Sequence, residues 1–187
     1  VKMLILTDFL GKGSSRLCFK HPTEAKKVVK IPSRFKEADT FDREIHAFYA
    51  AQSVLNDFIA RNAPRVVDTN LGKGLECDAF FDDDGSLSKT LGHYSENGRI
   101  CSELAEQLDF FAYNLMAHDL FFYDFNPNNF VVQITNGKKR LKYIDMKSFC
   151  RYKGWCFLKL ENICAPLARL LTKRRLKKLF RLCGLKC

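Results

Sequence analysis

Short apolar segments bounded by glycine and proline dominate the N-terminal part of the chain, and this pattern most restricts how the chain can fold. Such segments are typical of β-strands, and they fall at residues 3–10, 17–22, 26–32, 65–68 and 75–81. Between the third and fourth, the segment from Lys36 to about Phe58 repeats apolar residues at helical spacing. These residues are Phe41, Ile45, Phe48, Tyr49 and Leu55. The pattern predicts a strand-rich first part that contains one helix.

The second part of the chain is predicted to be richer in helix. Residues from about 101 to 117 place an apolar stripe on one helical face, formed by Leu104, Leu108, Phe111 and Leu115. Two short apolar segments, 130–132 and 142–144, then predict a small hairpin. A basic pattern with helical spacing begins near residue 160.

Length and composition allow one domain in two small lobes. The chain has 187 residues, of which 47% are apolar and 17 are phenylalanine, so it can build a sizeable core. The polar connection Asp82–Gly85 separates the strand-rich part from the helical part. We therefore expect an α+β fold with a strand-rich N-terminal lobe (1–85), a hinge near 82–90 and a short helical C-terminal lobe (86–187).

The sequence predicts neither a membrane span nor a secretion signal. Its longest apolar runs are far shorter than the ~18 residues of a transmembrane helix, and the N-terminal apolar stretch leads into Asp8 without a small-residue cleavage site. None of the eight cysteines pairs with another at the spacing of a zinc or redox motif. Small buried thiols in a reducing compartment are the favoured interpretation, and we expect a cytoplasmic protein.

Positive charge is concentrated at the C-terminus. No acidic residue follows Glu161, whereas eight of the cations behind the net charge of +10 do: Arg169, Lys173, Arg174, Arg175, Lys177, Lys178, Arg181 and Lys186. Residues 167–186 can form a helix docked on the C-terminal lobe, or an interfacial helix on anionic lipid at the inner membrane. Both can hold together. We expect no nucleic-acid partner, because the tail has no aromatic platform and no recognised binding motif.

A glycine turn and a lysine predict a phosphate site. Gly11 and Gly13 lie between two predicted strands, where glycine lets backbone N–H groups approach an anion; an ordinary hairpin turn would also explain them. Lys30 follows on a strand, and Glu44 follows in the predicted helix. A glutamate that reaches from a helix to a strand lysine can hold a phosphate-binding lysine in place, and Glu37 is the alternative partner.

Two carboxylates and one amide lie at the ends of the predicted hairpin. Asp124 and Asn129 are five residues apart just before its first strand, and Asp145 follows its second strand. Turn formation would explain each residue alone. Together they offer the hard oxygen ligands that suit Mg²⁺, with one carboxylate left to orient or deprotonate a hydroxyl.

The order of these features resembles that of the protein kinases. The stretch from Gly11 to Phe19, GKGSSRLCF, resembles the nucleotide-binding loop, and VVK ending at Lys30 resembles the strand-lysine motif. The stretch from Asp124 to Asn129, DFNPNN, resembles the catalytic loop, and YID ending at Asp145 resembles the metal-binding motif. The resemblance covers about residues 5–150.

A closer resemblance is to the bacterial family of PhoP-regulated, YrbL-like proteins, which are related in fold to lipopolysaccharide sugar kinases. It rests on segments 11–22, 43–44, 64–68 and 82–91. The resemblance implies that the chain binds ATP and Mg²⁺. Lys30 would contact the α- and β-phosphates, with Glu44 as its partner. Asp124 would be the catalytic aspartate, and Asn129 and Asp145 would bind the metal. The loop backbone of Gly11, Gly13, Ser14 and Ser15 would contact the phosphates.

The chain departs from the kinase pattern at several positions. Arg16 replaces the third loop glycine, which predicts looser nucleotide binding. Tyr123 stands where the catalytic loop usually has arginine, so control by a phosphorylated activation loop is not expected. Met146 and Lys147 replace the phenylalanine and glycine after Asp145, which argues against a regulatory flip of this loop.

Two further features bear on the acceptor and on the register of the catalytic loop. Only 42 residues follow Asp145, too few for a complete protein-kinase helical lobe, which favours an acceptor other than a protein. A second candidate motif, His118-Asp119-Leu120, has no asparagine at the required distance. We therefore assign the catalytic loop to Asp124.

The sequence thus predicts an ATP- and Mg²⁺-dependent phosphotransferase for a hydroxyl of a cell-envelope saccharide, such as a lipopolysaccharide core sugar. It would be cytoplasmic, with peripheral contact to the inner membrane. A pseudokinase that binds nucleotide as a regulatory module is the main alternative, and a Ser/Thr protein kinase is the other. Fold analogy does not fix the acceptor.

Overall fold

Five strands of the N-terminal part form one antiparallel sheet. The computed structural model describes residues 3–13, 15–33, 39–148 and 165–185. The strand order is β1-β2-β3-β5-β4, with β1 at Phe9–Lys12, β2 at Arg16–Lys20, β3 at Lys27–Pro32, β4 at Arg65–Thr69 and β5 at Gly72–Asp78. The central strand β3 buries Val29 and Ile31, which pack with Leu6 and Phe19 in a small core.

The prediction of a regular strand over residues 3–10 is wrong for its first part. Leu4 forms a single parallel bridge with Thr69 at the edge of the sheet, and β1 begins only at Phe9. The Leu6 N–H donates instead to the side chain of Asn70, at 2.9 Å. A side-chain acceptor thus replaces the backbone ladder that a longer strand would need.

Helix α1, Asp39–Leu55, connects β3 to β4. Its apolar face is buried, and Phe41, Phe48 and Leu55 lie on it as predicted. Tyr49 does not, because its side chain is 63% exposed. Two charged residues of the helix, Arg43 and Glu44, are buried instead, and both belong to the candidate site.

A second, smaller sheet has the order β6-β7-β8, with β6 at Lys89–Thr90, β7 at Phe130–Thr135 and β8 at Lys138–Tyr143. Asn136 and Gly137 both have positive φ in the β7–β8 turn, which is the geometry that an Asn-Gly hairpin favours. The Asp83 carboxylate accepts the N–H groups of these two residues at 3.0 and 2.9 Å. The acidic connection at 82–85 is therefore fastened to the hairpin.

Three helices accompany the second sheet: α2 at Leu91–Glu96, α3 at Ser102–Ala117 and α4 at Ala165–Leu182. The predicted stripe of α3 is buried in full. Strand β6 and helix α2 were not predicted, since both are too short to show a periodic pattern. The Thr90 side chain caps α2 by accepting the His93 N–H at 3.2 Å.

The main core joins α1 and α3 to β7, β8 and α4. Phe111 on α3 is fully buried, and its ring packs against the rings of Phe58, Phe125, Phe130 and Tyr143. The predicted α+β class, with a strand-rich first part and helices in the second, is confirmed. The division at residue 85 stays a prediction, and the core draws side chains from both sides of it.

The length and apolarity of the helices in residues 3–13, 15–33, 39–148 and 165–185 decide whether any of them can span a membrane. No helix there is both long and apolar enough to cross a bilayer.

Cys18, Cys77, Cys101 and Cys183 are free thiols, of which Cys183 is buried and the others are half-buried. The remaining four cysteines of the sequence lie outside the described residues.

Replacement of Phe111 by alanine should lower the free energy of unfolding by about 3–5 kcal/mol, because it leaves a cavity among four aromatic rings. Its neighbour Phe110 is 54% exposed, so Phe110→Ala should cost less than about 1 kcal/mol. Urea denaturation of both variants measures the difference. Equal losses would contradict the assignment of this core.

Candidate functional site

Lys30 connects three parts of the fold. Its Nζ donates to Glu44 Oε1 at 3.1 Å and to the backbone carbonyl of Ile144 at 3.0 Å. Strand β3 carries the lysine, helix α1 carries the glutamate, and Ile144 directly precedes Asp145. The predicted lysine, its predicted glutamate partner and the loop of the predicted metal ligand therefore lie together. Glu37, the alternative partner, lies outside the described residues.

Arg16 adds a second cation to the same carboxylate. Its guanidinium donates to Glu44 Oε2 and lies 5.4 Å from the centre of the Phe41 ring. Arg16 is 8% exposed and Glu44 is 3% exposed. The arginine that replaces the third loop glycine thus ties the start of β2 to helix α1.

The three groups hold each other in the charged state. Burial disfavours the charge of Lys30, but the neighbouring groups together, chiefly the Glu44 carboxylate, raise the pKa of Lys30. Burial alone would raise the pKa of Glu44, yet Lys30 and Arg16 lower it. Burial also opposes the charge of Arg16, and Glu44 again raises the pKa. The arrangement is a buried triad with a net positive charge.

Asp145 lies next to this triad, just after β8. Burial and the negative charge of Glu44 raise the pKa of Asp145, and Lys147 and Lys30 offset part of that shift. Lys147 Nζ lies 3.3 Å from Asp145 Oδ2 and donates to the Ser15 hydroxyl at 2.8 Å. One lysine therefore links the predicted metal ligand to the glycine loop.

Backbone contacts fix the predicted catalytic loop. The Tyr143 hydroxyl donates to the carbonyl of Asp124 at 3.2 Å, and the Asn129 amide approaches the same carbonyl at 3.5 Å. The Ile144 N–H donates to the Asn129 carbonyl at 2.9 Å. Asp124 and Asn129 thus lie beside the segment that leads to Asp145. No hydrogen bond reaches the Asp124 carboxylate from the described part of the chain.

A buried arginine that sequence reasoning missed joins helix α1 to this loop. Arg43 donates to the carbonyl of Lys147 at 3.3 Å and lies 3.5 Å from the Tyr123 hydroxyl. Tyr123 stands where the kinase pattern has an arginine, so the guanidinium reaches the loop from the helix instead. The signals in the sequence are that Arg43 directly precedes Glu44 and that segment 43–44 carries part of the family resemblance.

A cavity of about 230 Å³ opens beside Lys30 and Glu44. Its walls are mostly apolar and include Cys18, Val28, Cys77, Phe80 and Val131. The sequence analysis assigned none of these residues a role of its own, although Cys18 and Val28 lie in the quoted motifs, because apolar side chains on strands carry no chemical signature. Two positional signals were present: Cys18 follows Arg16 by two residues, and Val28 precedes Lys30 by two.

The glycine loop leaves an open face. A Cβ atom at Gly11 would meet no atom within 4 Å, and one at Gly13 would meet only the Arg16 carbonyl, at 3.7 Å. Neither glycine has the positive φ that requires glycine. Internal packing and backbone strain therefore do not explain these residues, whereas close approach of a ligand would. Ser15 contacts Lys147, and Ser14 lies outside the described residues.

A second polar cluster lies away from the cavity. The side chains of His21, Glu24 and Glu76 bring one ligand atom each within 4.8 Å of one another. His21 Nδ1 accepts the N–H groups of Thr23 and Glu24, at 3.2 and 2.9 Å, so the proton of a neutral ring lies on Nε2. That nitrogen faces Glu76 at 3.1 Å. A protonated nitrogen cannot bind a metal, and the cluster is a structural ion network.

Asp119, in the rejected His118-Asp119-Leu120 motif, has a structural partner. Arg169 of α4 lies 2.6 Å from its carboxylate and also donates to the Met116 carbonyl at 3.2 Å. Asp119 therefore tethers the start of α4 to the end of α3.

Replacement of Glu44 by glutamine should lower the free energy of unfolding by about 3–5 kcal/mol, because it leaves Lys30 and Arg16 in the interior without their counter-charge. The matched control is Glu106→Gln on the exposed side of α3, with an expected loss within about 0.5 kcal/mol. Urea denaturation measures both. An additional Arg16→Met change should recover part of the loss, and a larger loss in the double variant would contradict the triad.

Comparisons with known proteins identify the family of the chain. The family described as PhoP regulatory network protein YrbL matches residues 3–184. The YrbL proteins of Escherichia coli (strain K12) and Shigella flexneri are each 33% identical over 104 residues, which cover 52% of this chain and 48% of the relative. The chain thus spans about half the length of the curated relatives it matches.

A solved structure similar to this fold is a mutant PknI kinase domain of Mycobacterium tuberculosis. It superposes with a TM-score of 0.49 at 16% identity, over 76% of this chain and 59% of that domain. The kinase-like order of the site itself is seen in the lysine–glutamate pair on β3 and α1, followed by the two polar loops around β7 and β8. From the match across residues 3–184, this chain belongs to the YrbL family of PhoP regulatory network proteins.

Proposed function

We propose that the chain is a phosphotransferase of kinase-like fold that uses ATP and Mg²⁺ to phosphorylate a hydroxyl of a cell-envelope saccharide. One observation carries the proposal: the Lys30–Glu44 pair is joined through the Ile144 carbonyl to the loop of Asp145. That loop in turn contacts the loop of Asp124 and Asn129. Protein kinases use these residue types in this order to hold ATP and its metal.

The cavity fits the base of a nucleotide. Its volume of about 230 Å³ and its mostly apolar walls suit a flat heterocycle. Lys30 lies at its edge and would meet the α- and β-phosphates, and Glu44 keeps that lysine charged and in place. The open face of Gly11 and Gly13 leaves room for phosphate oxygens above them.

The residues around Asp145 fit a hard cation. A carboxylate and an amide oxygen, from Asp145 and Asn129, are the ligand types that Mg²⁺ takes beside phosphate. When bound, the ion would neutralise the charge that develops on the transferring phosphoryl group.

Asp124 would act on the acceptor. Its backbone is held by Tyr143 and Asn129, which leaves the half-buried carboxylate to orient the attacking hydroxyl and to accept its proton. The role needs no covalent intermediate, since positioning and electrostatic stabilisation carry most of phosphoryl transfer. The saccharide acceptor rests on the resemblance to lipopolysaccharide sugar kinases.

Replacement of Asp124 by asparagine should abolish transfer and leave ATP binding intact. We expect the transfer rate to purified lipopolysaccharide core, followed with γ-labelled ATP, to fall by roughly 10²- to 10⁴-fold. The ATP affinity should change by less than about twofold. Asp119→Asn is the matched control and should retain full transfer, while Lys30→Met should weaken ATP binding itself. Equal transfer by wild type and Asp124→Asn would end the catalytic assignment.

A pseudokinase is a second candidate, favoured by one contact. Lys147 is paired with Asp145, where a kinase holds its metal, and an ammonium there can stand in for part of the metal charge. A chain that binds ATP but transfers no phosphate to saccharide or to a general protein substrate would support this candidate. Transfer to protein alone would instead support a Ser/Thr kinase.

Helix α4 supports the proposed contact with anionic lipid. Its inner face is buried through Leu176, Leu179 and Phe180. The opposite side exposes cations, namely Lys173, Arg174, Lys177, Lys178 and Arg181. Leu170 and Leu182 are also about half exposed, at 47% and 50%. A docked helix can therefore present a basic face with apolar contacts to a membrane surface.

Removal of three α4 cations should weaken lipid binding. Each cation near an anionic surface contributes about 1 kcal/mol, so a combined Lys173→Gln, Arg174→Gln and Lys178→Gln variant should lose roughly 100-fold in affinity. Co-sedimentation with phosphatidylcholine vesicles, with and without phosphatidylglycerol, measures it. The control removes three exposed lysines elsewhere, Lys20, Lys26 and Lys138. Equal loss in both variants would show that only net charge matters.

A further inference from the structure

Lys147 occupies a position that the kinase order does not assign to a cation. It stands two residues after Asp145, where the pattern has a glycine. Its Nζ lies 3.3 Å from Asp145 Oδ2 and donates to the Ser15 hydroxyl at 2.8 Å. The side chain is 20% exposed. Lys147 therefore spans the opening between the glycine loop and the predicted metal ligand.

This opening is where nucleotide phosphates would lie under the proposed function. In kinases the glycine loop covers the phosphates from one side, and the aspartate holds the metal that bridges the β- and γ-phosphates from the other. Lys147 contacts both of these boundaries in the same structure. Lys30 is held at the edge of the cavity by Glu44 and the Ile144 carbonyl, which suits the α- and β-phosphates.

Charge balance points the same way. The carboxylates of Glu44 and Asp145 face three cations, namely Arg16, Lys30 and Lys147. The charges of Arg16, Lys30, Glu44 and Asp145 alone would cancel, so Lys147 supplies the one excess positive charge of the group. Without it, the group would have no positive charge left for a polyphosphate.

We propose that Lys147 is a phosphate-binding residue that contacts the β- and γ-phosphates of the bound nucleotide. The inference rests on the proposed function and goes beyond it by naming a second phosphate-binding ammonium. Its contact with Ser15 would also hold the glycine loop closed over the phosphates. Part of the charge that a kinase obtains from metal ions would then come from the chain itself.

The test is nucleotide affinity by isothermal titration calorimetry on the full chain, at fixed Mg²⁺, for ATP, ADP and AMP. We expect Lys147→Met to weaken ATP binding by roughly tenfold or more, because a charge-assisted contact is lost. ADP binding should weaken less, and AMP binding should change by less than about twofold. Lys147→Gln is a second neutral variant and should show the same order. The matched control is Lys138→Met, an exposed lysine at the hairpin turn.

Each outcome decides between distinct conclusions. An unchanged ratio of ATP to AMP affinity in both Lys147 variants would overturn the inference and leave the proposed function standing. Tighter ATP binding by the variants would also overturn it, and would show that Lys147 competes with the nucleotide. Failure of the wild type to bind ATP would overturn the proposed function, and the inference with it.

Discussion

The buried carboxylate of Glu44 organises the whole site. It is 3% exposed and shared by Lys30 and Arg16, so helix α1, strand β3 and the start of β2 meet at one charge. A buried carboxylate with two cationic partners is stable only when all three groups stay in place. The position of α1 against the sheet, and of the Ile144 carbonyl against Lys30, follows from this requirement.

Much of the fold was predictable because its signals are local. The apolar stripe of α3 and the length of β3 each follow from the spacing of apolar residues within one short segment. The lysine, the glutamate and the two polar loops were predictable from their order along the chain. Strand β6 and helix α2 were not, since their six or fewer residues are fixed by pairing with β7 and by a single threonine cap.

The roles of residues that act through long-range contacts could not be predicted from the sequence. Arg43 reads as one more charged position on a helix, and only the fold brings it to Tyr123 and the Lys147 carbonyl. Tyr49 shares the apolar spacing of α1 but faces outward, whereas the charged residues Arg43 and Glu44 of the same helix are buried. Periodicity gives the presence of a helix, but the partner surface decides which face is buried.

Where the chain departs from the kinase pattern, cationic side chains lie at positions that differ from those of the pattern. Arg16, at the position of the third loop glycine, binds the Glu44 carboxylate. Lys147, at the position of the glycine that follows the metal-binding motif, binds the Asp145 carboxylate. Arg43 reaches the predicted catalytic loop from α1, and Tyr123 in that loop stands where the kinase pattern has arginine. Helix α1 is thereby held through two of its own side chains, Arg43 and Glu44, which contact the loops and strands on either side. Under the proposed function, we therefore expect this helix to take up its position without an added phosphate group, since Arg43 and Glu44 already make contacts on both of its sides.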